Sequence, residues 1–355
     1  MRVLVATDAW HPQVNGVVRT LTAMAHTAAR FGSEIVFAAP DDFSTVPLPG
    51  YSEIRLALSW PGSVRGIVAA VDPDAIHIAT EGPVGVAFRH YCVSRGLRFT
   101  TSFHTRFPEY VAARTPLPES SVWAYLRWFH GASEHVMAPT PTIMRELAER
   151  GMTRLVHWSR GVDTERFRPK PGADLGLPRP VFLSVGRVAV EKNLDRFLAL
   201  DLPGSKVVVG DGPALAGLSR QYPDAVFLGR KEGAELAAIY AAADCFVFPS
   251  RTDTFGLVLL EALASGLPVA AFPVATVRDV IGSARGGVLD DDLRAACLAA
   301  LALRPDDCRA FARRWSWEAS ARRFVASMVD LGEPAAIGLS PHGRERMPVG
   351  QRGLP

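Results

Sequence analysis

The 355-residue sequence has few cysteines and no long apolar run, and each scarcity excludes a class of protein. Its four cysteines form no Cys-x-x-Cys pair and lie near no histidine cluster, which argues against a disulfide-stapled domain and against a zinc site. No stretch reaches the ~18 apolar residues of a membrane span, and the apolar run after Arg2 is too short for a signal-peptide core. We therefore expect a cytoplasmic protein, with peripheral contact at the inner face of the membrane as a further option.

Charge is balanced and spread along the chain, since 39 Lys and Arg face 36 Asp and Glu. No basic stripe stands out, which argues against nucleic acid as a partner. Only four of the basic residues are lysines, so that a Lys in a loop is more informative here than an Arg. The Gly-x-Gly-x-x-Gly fingerprint is absent as well, which argues against a dehydrogenase.

Short β-rich apolar runs alternate with helical patterns along most of the chain. This alternation predicts an α/β protein with doubly wound parallel sheets, and a Pro-, Gly- and charge-rich segment at 160–180 separates two of them. The length also favours two cores. The predicted strands are RVLVAT, EIVFAAP, AIHIAT, RFTTSF and HVMAP in the first half and PVFLSVGR, SKVVVGDG, AVFLG, CFVFPS and LPVAAF in the second.

We expect an N-terminal domain over residues 1–165 and a C-terminal domain over residues 166–332. The last predicted helix, SWEASARRFVASMV, is expected to pack back on the N-terminal domain. The remaining residues, 333–355, lack an apolar period and are expected to form a disordered tail.

Ligands of open parallel sheets bind beyond the carboxyl ends of the strands, so the residues after each strand are candidates for chemistry. Asp253 and Glu261 follow the strand CFVFPS. A helix that begins near Gly256 would point its first amides at an anion, and Glu261 would lie roughly 7–8 Å along it. The two acids would then bracket a diphosphate. The alternative is a capping Asp and a solvent-facing Glu.

Other residues after strands are candidates too. Arg187 and Lys192 follow PVFLSVG and suit a diphosphate whose negative charge grows as it leaves, although two solvated cations are the alternative. His104 follows RFTTSF and is either a substrate contact or a structural histidine. Gly16 opens a helix after the first strand, which is a weak signal of a phosphate-facing turn.

The Asp-x-Asp pairs that bind metals in many sugar-nucleotide enzymes have one counterpart here, at Asp72 and Asp74. It precedes the strand AIHIAT and so lies at the amino end of the sheet, away from the expected site. We predict that no metal is bound and that Arg187 and Lys192 supply the positive charge.

Together these elements resemble the retaining glycosyltransferases of family 4, which have the GT-B fold. The similarity covers nearly all of residues 1–330. It implies two Rossmann-like domains facing across a cleft, the first for the acceptor and the second for a nucleotide sugar. The motifs that carry it, in order, are PQVNGVVRT, SFHTRF, RGVDTERFRP, SVGRVAVEKNL, VVVGDGP, LGRKEGAELAAIYAAADCFVFPS and TDTFGLVLLEALASGLPVAA.

The resemblance also implies roles. His104 would contact the donor sugar, while Arg187 and Lys192 would hold the diphosphate and neutralise the departing phosphate. Asp253 and Glu261 match the two acids of the family's Glu-x7-Glu motif, of which the second binds ribose hydroxyls. Further donor contacts are implied for Gly16 near the diphosphate, for Gly229 and Arg230 along the base pocket, and for the backbone amides of Phe255, Gly256, Leu257 and Val258.

Asp253 stands where most of the family has Glu, which withdraws the carboxylate by roughly 1.5 Å. This resembles a branch of GDP-mannose-dependent α-mannosyltransferases and sulfoquinovosyltransferases. The resemblance implies transfer of a mannose- or glucose-type hexose from a GDP- or UDP-sugar, without a cofactor, to a glycolipid or another hydroxyl acceptor, with retention. A sugar-nucleotide 2-epimerase of the same fold and a degenerate nucleotide-binding scaffold are the alternatives.

The segment PESSVWAYLRWFHGA places four aromatic residues within seven positions: Trp123, Tyr125, Trp128 and Phe129. With Arg127 they would form an amphipathic patch for a lipid headgroup interface. A helix that packs its aromatics into the core is the alternative. A soluble sugar acceptor therefore stays open beside a lipid.

Overall fold

A computed structural model of the chain describes residues 1–13, 15–48, 51–58, 61–104, 117–282 and 286–332. The predicted tail and the part of the SFHTRF motif after His104 lie outside these residues. The chain forms two compact units, of which the first holds the described residues of Met1–Pro139, Met144–Trp158 and residues 320–332. The second holds Thr140–Ile143 and Ser159–Ala319.

The first unit contains a parallel sheet of six strands in the order β2-β1-β5-β6-β7-β8. Strands β3 and β4 pair with each other in an antiparallel hairpin. The strands are β1 (Arg2–Ala6), β2 (Glu34–Ala38), β3 (Ser44–Leu48), β4 (Tyr51–Leu58), β5 (Ala75–Ile78), β6 (Thr100–Ser102), β7 (His135–Ala138) and β8 (Leu155–His157).

The second unit contains another six-stranded parallel sheet, in the order β11-β10-β9-β12-β13-β14. Its central strands consist mainly of buried apolar residues, as parallel sheets covered by helices require. The strands are β9 (Val181–Val185), β10 (Ser205–Val209), β11 (Val226–Phe227), β12 (Cys245–Phe248), β13 (Val269–Ala271) and β14 (Gly287–Leu289).

Helices connect these strands. Those in the first half are α1 (Gly16–Ala29), α2 (Pro61–Val71), α3 (Pro83–Ser94), α4 (Glu119–His130) and α5 (Pro141–Glu149). Those in the second half are α6 (Leu194–Leu198), α7 (Leu215–Gln221), α8 (Gly233–Ala242), α9 (Leu257–Ala264), α10 (Ala275–Ile281), α11 (Leu293–Ala300), α12 (Pro305–Ala312) and α13 (Trp317–Ala326). No helix within the described ranges combines the length and apolar character needed to cross a membrane.

Every strand predicted from the apolar runs is present, so the prediction of two doubly wound parallel sheets is confirmed. The sequence did not predict the hairpin β3–β4 or the edge strands β8 and β14. The two edge strands have three residues each, which is too short for a recognisable pattern. The assignment of acceptor binding and donor binding to the two predicted domains stays a prediction.

In each sheet one strand marks the point at which the strand order reverses. In the first unit β1 lies between β2 and β5, and in the second β9 lies between β10 and β12. Next to this strand, two neighbouring strands are followed by loops that lead to opposite faces of the sheet. The space between the two loops is a crevice, and ligands of open α/β sheets usually bind there. Asp8 follows β1, whereas Lys192 and Asp253 follow β9 and β12.

Candidate active site

The two loops beside the reversal point of the second sheet are joined by an ion pair. Nζ of Lys192, at the end of a 3₁₀ turn after β9, lies 2.6 Å from Oδ1 of Asp253, and both side chains are 21% exposed. Burial raises the pKa of the Asp253 carboxyl, but the neighbouring Lys192 ammonium outweighs it and holds the pKa below its ordinary value. Asp253 is therefore a charged group near neutral pH, paired with the one lysine that the sequence singled out in this loop.

Glycine residues lie in the neighbouring loops at the carboxyl ends of β9 and β10. A Cβ on Gly210, after β10, would lie 1.8 Å from the carbonyl oxygen of Gly186, and one on Gly212 would lie 2.4 Å from that of Val188. The loops after β9 and β10 thus approach closely enough to exclude side chains. Arg187 follows Gly186 directly and is exposed. Bare backbone beside an exposed guanidinium suits a phosphate group.

Helix α9 begins with Gly256, whose φ of 82° is left-handed. Gly256 has no side chain that could accept a hydrogen bond from the first-turn amides of the helix. Phe255 is buried and packs edge-on against Trp315, which anchors the start of the helix. The first-turn amides of α9, at Leu257 and Val258, therefore have the local geometry that the predicted phosphate contact needs.

Glu261 is 3% exposed although it lies within the apolar sequence of α9. The hydroxyl of Tyr240, on α8, donates a hydrogen bond of 3.1 Å to its Oε2. Tyr240 is fully buried, and its ring contacts Phe167 and Phe246. The alternative of a capping Asp and a solvent-facing Glu is excluded, because Asp253 pairs with Lys192 and Glu261 is buried.

The loop after β11 carries the residues predicted for the base pocket. Gly229 has a φ of 66°, and its carbonyl oxygen accepts a 2.9 Å hydrogen bond from the amide of Gly210. The guanidinium of Arg230 donates to Oε1 of Glu232 at 2.8 and 3.0 Å, and both side chains are more than half exposed. Arg230 is therefore a paired surface cation at the edge of the same sheet.

His104, in the first unit, is buried and belongs to a chain of hydrogen bonds. Its Nε2 lies 2.8 Å from Oγ of Ser102, and that oxygen lies 3.0 Å from Nε2 of His77. The His104 ring also meets Trp158 edge-on, with the ring centroids 5.7 Å apart. These contacts orient the ring, and they give His104 a structural role without excluding contact with a substrate.

Gly16 begins α1, but the helix start differs from that of α9. The side-chain oxygen of Asn15 accepts hydrogen bonds of 3.0 Å from the amides of Val17 and Val18. These amides are therefore already paired and do not point at an anion. A Cβ on Gly16 would meet nothing within 4 Å, so packing does not require a glycine here, and a donor contact at Gly16 stays a prediction.

The sequence reasoning missed a buried polar cluster at the reversal point of the first sheet. Asp8 accepts hydrogen bonds from the hydroxyl of Thr80 and the amide of Val84, both at 2.8 Å, and from the amide of Gly85 at 3.3 Å. It thereby caps α3 from another part of the chain. Burial raises the pKa of the Asp8 carboxyl above its ordinary value. Asp8 follows β1, and a position after a strand is the signal that identified the other candidates, so the same signal could have identified Asp8.

A second buried pair lies beside this cluster. Nε2 of His130 and Oε1 of Glu81 are 3.3 Å apart, and both side chains are almost fully buried. The Tyr125 hydroxyl donates to the backbone carbonyl of Glu81. Together these contacts fix the loop after β5 against α4.

The aromatic residues of α4 divide between core and surface, and the predicted lipid interface stays a prediction. Trp123 and Phe129 are buried, whereas Trp128 is 49% and Tyr125 36% exposed. The guanidinium of Arg89, on α3, stacks 3.8 Å from the centroid of the Trp128 ring. Trp128, Tyr125 and Arg89 form the surface that we call the α4 patch.

The Asp-x-Asp pair lies where the sequence predicted, before β5 and so at the amino end of its sheet. Oδ2 of Asp74 accepts a 2.7 Å hydrogen bond from the backbone amide of Arg2. In the part of the chain that the structure describes, no group of three or more His, Cys, Asp or Glu side chains is placed to hold a metal ion. All four cysteines are buried.

Comparison with known proteins identifies the chain. A family model described as Glycosyltransferase Family 4 matches residues 14–166, and one described as Glycosyl transferases group 1 matches residues 179–306. A GDP-mannose-dependent alpha-mannosyltransferase from Mycobacterium tuberculosis (strain CDC 1551 / Oshkosh) is 32% identical over 81% of this chain and 83% of the relative. The chain belongs to glycosyltransferase family 4.

Another relative is the sulfoquinovosyl transferase SQD2 of Arabidopsis thaliana, which is 32% identical over 66% of this chain and 49% of its own length. Among solved structures, a sucrose-phosphate synthase from Thermosynechococcus elongatus superposes with a TM-score of 0.76 at 19% identity, over 92% of this chain and 97% of its own. The GT-B fold predicted from the sequence is thereby confirmed, and the protein is a glycosyltransferase. The epimerase and scaffold alternatives gain no support from these relatives.

Proposed function

We propose that this family 4 glycosyltransferase transfers a mannosyl residue from GDP-mannose to a hydroxyl group of a glycolipid acceptor, with retention of the α configuration. The names of the relatives support the donor, since two GDP-mannose-dependent alpha-mannosyltransferases are 32% and 30% identical over more than four fifths of this chain. The observation that carries the proposal is the Lys192–Asp253 ion pair at the reversal point of the second sheet.

In this proposal the cations of the second unit stabilise the leaving group. The bond between the anomeric carbon and the phosphate oxygen breaks, and negative charge accumulates on the departing GDP. Lys192 and Arg187 neutralise that charge, and the amides at the start of α9 add their partial positive charge. This arrangement supplies the charge that a divalent metal provides in other sugar-nucleotide enzymes, so we infer that transfer needs no metal.

Retention follows, in the proposal, from departure and attack on the same face of the sugar. The acceptor oxygen forms its bond to the anomeric carbon on the face that the phosphate leaves, and its proton passes to the departing phosphate oxygen. The enzyme contributes positioning and charge stabilisation, and no covalent intermediate is needed.

The two acids hold the two ends of the donor. The carboxylate of Asp253, ionised because Lys192 lowers its pKa, accepts hydrogen bonds from sugar hydroxyls. Glu261, held by Tyr240, accepts hydrogen bonds from the ribose hydroxyls. His104 contributes a further contact to the sugar, and Gly229 and Arg230 flank the base.

The lipid acceptor is supported by the α4 patch and by the name of a relative, the Alpha-monoglucosyldiacylglycerol synthase of Streptococcus pneumoniae (strain ATCC BAA-255 / R6), which is 27% identical over 91% of this chain. An exposed Trp stacked under an Arg combines an apolar ring with a cation, and both suit an anionic lipid surface. A soluble glycan acceptor is the second candidate, and it needs no such patch.

A donor screen tests the reaction. Thermal unfolding of the purified protein is measured with GDP, UDP, ADP and their mannose and glucose derivatives, with and without EDTA. A ligand at about 100 times its Kd adds about 2.7 kcal/mol to the folded state, so the true donor raises the melting temperature clearly. We expect a shift with GDP and GDP-mannose that EDTA leaves unchanged. A shift with UDP-sugars alone would replace the donor, and a shift that EDTA abolishes would overturn metal independence.

Product analysis tests the remaining parts. The protein is incubated with GDP-mannose and either lipid-extract vesicles or soluble oligosaccharides, and the anomeric configuration of the product is read by NMR. An α-linked product on lipid supports the proposal, and a β-linked product refutes retention. Trp128→Glu is expected to weaken sedimentation with anionic vesicles, whereas Leu301→Glu, at an exposed apolar residue of the second unit, is the matched control.

A further inference from the structure

The short strand β6 lies in the middle of the first sheet, yet all three of its residues carry hydroxyl groups and all three are buried. Central parallel strands are usually rich in Val and Ile. Here each hydroxyl contacts a histidine: Thr100 meets His77, Ser102 meets both His77 and His104, and Thr101 meets His130. Buried polar groups arranged in this way must satisfy one another.

On one face of the sheet these contacts form a linear chain. It runs from Oγ1 of Thr100 to Nδ1 of His77 at 2.8 Å, from Nε2 of His77 to Oγ of Ser102 at 3.0 Å, and from Oγ of Ser102 to Nε2 of His104 at 2.8 Å. Ser102 has a single hydroxyl proton between the two ring nitrogens, and the carbonyl oxygen of Ala79, at 3.4 Å, is a more distant acceptor. If the hydroxyl donates to one ring, the other ring must donate to it. The protonation sites of His77 and His104 are therefore coupled.

The distances favour one direction for this chain. To an oxygen acceptor, hydroxyl donors form bonds of about 2.7–2.8 Å and N–H donors form bonds of about 2.9–3.0 Å, so a shorter contact favours the hydroxyl as donor. The two 2.8 Å contacts then have Thr100 and Ser102 as donors, and the 3.0 Å contact has Nε2–H of His77 as donor. The reverse direction would send the Thr100 hydroxyl to the sulfur of Met328 at 3.7 Å, which is a weaker acceptor.

We infer that Thr100, His77 and Ser102 form a hydrogen-bond relay that fixes the tautomer of His104, placing its ring proton on Nδ1. A neutral His104 in this tautomer acts towards the donor sugar as a hydrogen-bond donor and not as a base. His77 and Ser102 are positioning residues, because they act through His104. This inference rests on the proposed function only for the identity of the group that His104 contacts.

The surroundings of the relay hold both rings in place. His77 is fully buried, and its ring meets Phe324 edge-on with the centroids 4.9 Å apart. Trp158 meets both histidine rings edge-on, at 6.2 Å from His77 and 5.7 Å from His104. Aromatic walls lower the local dielectric, which strengthens the hydrogen bonds and makes an unmatched proton costly.

The test reads the tautomer directly in the full-length protein. Histidine labelled with ¹⁵N shows different long-range ¹⁵N–¹H couplings for the Nδ1–H and Nε2–H forms, and the His104 signals are assigned by their loss in His104→Gln. We expect the Nδ1–H form in the wild type. Ser102→Ala removes the donor to Nε2, and we expect the Nδ1–H preference to be lost and kcat to fall about tenfold, the worth of one hydrogen bond.

Conservative variants separate positioning from folding. Ser102→Thr keeps the hydroxyl, and His77→Gln keeps an amide donor near the position of Nε2, so both are expected to retain the Nδ1–H form and most of kcat. His135→Gln is the control, since His135 is a histidine of the same sheet whose Nδ1 bonds the carbonyl of Ser327 instead. Thermal unfolding of each variant shows whether the fold is intact.

Two results would overturn the relay: a wild-type His104 with its proton on Nε2, or a Ser102→Ala variant that keeps the wild-type tautomer. Both are read without substrate. A protein that shows the Nδ1–H form and its loss in Ser102→Ala, but transfers no sugar from any nucleotide donor, refutes the proposed function and leaves the relay standing. Transfer from GDP-mannose by a protein whose His104 carries its proton on Nε2 supports the proposed function and refutes the relay.

Discussion

The two parallel sheets both have six strands and one reversal of strand order, but their strand orders differ, and so do the positions of their polar groups. In the first unit polar side chains enter the sheet itself: β6 has only hydroxyl residues, and His77 lies within β5. In the second unit β12 is wholly apolar, and the ion pair of Lys192 and Asp253 lies beyond the carboxyl ends of β9 and β12.

The reversal points of the two sheets differ in the same way. Asp8 accepts hydrogen bonds from Thr80 and from two amides of α3, so its carboxylate is bonded within its own unit. At the second reversal point the acid meets a cation, and the N-cap residue of the neighbouring helix α9 is a glycine without a capping side chain. A reversal of strand order thus lies beside a carboxylate bonded within its own unit in one case and beside an ion pair suited to an anion in the other.

The largest effect is expected when the cation of the Lys192–Asp253 ion pair is removed. Lys192→Ala is expected to lower the rate of mannosyl transfer about 10²–10³-fold, because one preorganised charge at a developing anion contributes on this scale. Steady-state transfer from GDP-mannose measures it. Lys231→Ala is the control, since Lys231 is a surface lysine paired with Glu235, and it should change the rate less than twofold. Comparable losses of transfer rate in both variants would show that Lys192 contributes no more to transfer than Lys231 does.

Close backbone approach is a feature that the two units share. A Cβ on Gly85 would lie 1.9 Å from the carbonyl oxygen of Thr80, and one on Gly210 would lie 1.8 Å from that of Gly186. Gly85→Ala and Gly210→Ala should each lower the free energy of unfolding by about 3 kcal/mol, as overpacked sites do.

Urea unfolding measures these losses, with Gly217→Ala as the control. Gly217 lies within α7, and its Cβ would meet nothing within 4 Å. That variant should gain about 0.5–1 kcal/mol, because alanine favours the helix. A tolerated Gly210→Ala would mean that the loops after β9 and β10 adjust more easily than their contacts indicate.

A smaller effect is expected where the second unit does bury a polar contact. Tyr240→Phe removes the hydroxyl that holds Glu261, so the ribose end of the donor is less well positioned. We expect the KM for GDP-mannose to rise about tenfold, the worth of one hydrogen bond to a charged group, with little change in kcat. Tyr222→Phe, at a tyrosine whose hydroxyl contacts are exposed, is the control. A fall in kcat at unchanged KM would contradict the assignment of Glu261 to the ribose.

The smallest effect is a difference in pH dependence between the two reversal points. The folded-state pKa of Asp253 is lowered, so its contribution to stability is present above its ordinary pKa and is lost as the pH falls through the folded value. The folded-state pKa of Asp8 is raised, so its contribution is present at low pH and is lost as the pH rises through the folded value.

Melting temperatures from about pH 3 to pH 8 should reveal these opposite slopes, since a tenfold difference in proton affinity between the folded and unfolded chain corresponds to about 1.4 kcal/mol. On acidification the advantage of the wild type over Asp253→Asn should shrink, whereas its advantage over Asp8→Asn should grow. Parallel slopes would remove the electrostatic contrast between the two units.

Much of the second unit could be predicted from the sequence. Its strands are mainly apolar runs, and the loops after them contain a rare lysine, an acid and glycines, so the strand ends and the candidate residues were visible together. The first unit was harder. Its strand β6 was predicted, but nothing local showed which histidines its hydroxyls would meet, and β8 is too short to match a strand pattern. The hairpin β3–β4 was missed since it belongs to neither parallel sheet.

The sequence by itself determined the alternation of strands and helices, the two sheets and the placement of Lys192, Asp253 and Glu261 after or within particular elements, because these are local properties of the chain. Only the tertiary structure decided which side chains meet. Tyr240 and Glu261 are 21 positions apart, Lys192 and Asp253 are 61, and Asp8 and Thr80 are 72. No local pattern encodes such pairs, since they form when packing brings distant loops to one edge of a sheet and buried polar atoms must find partners there.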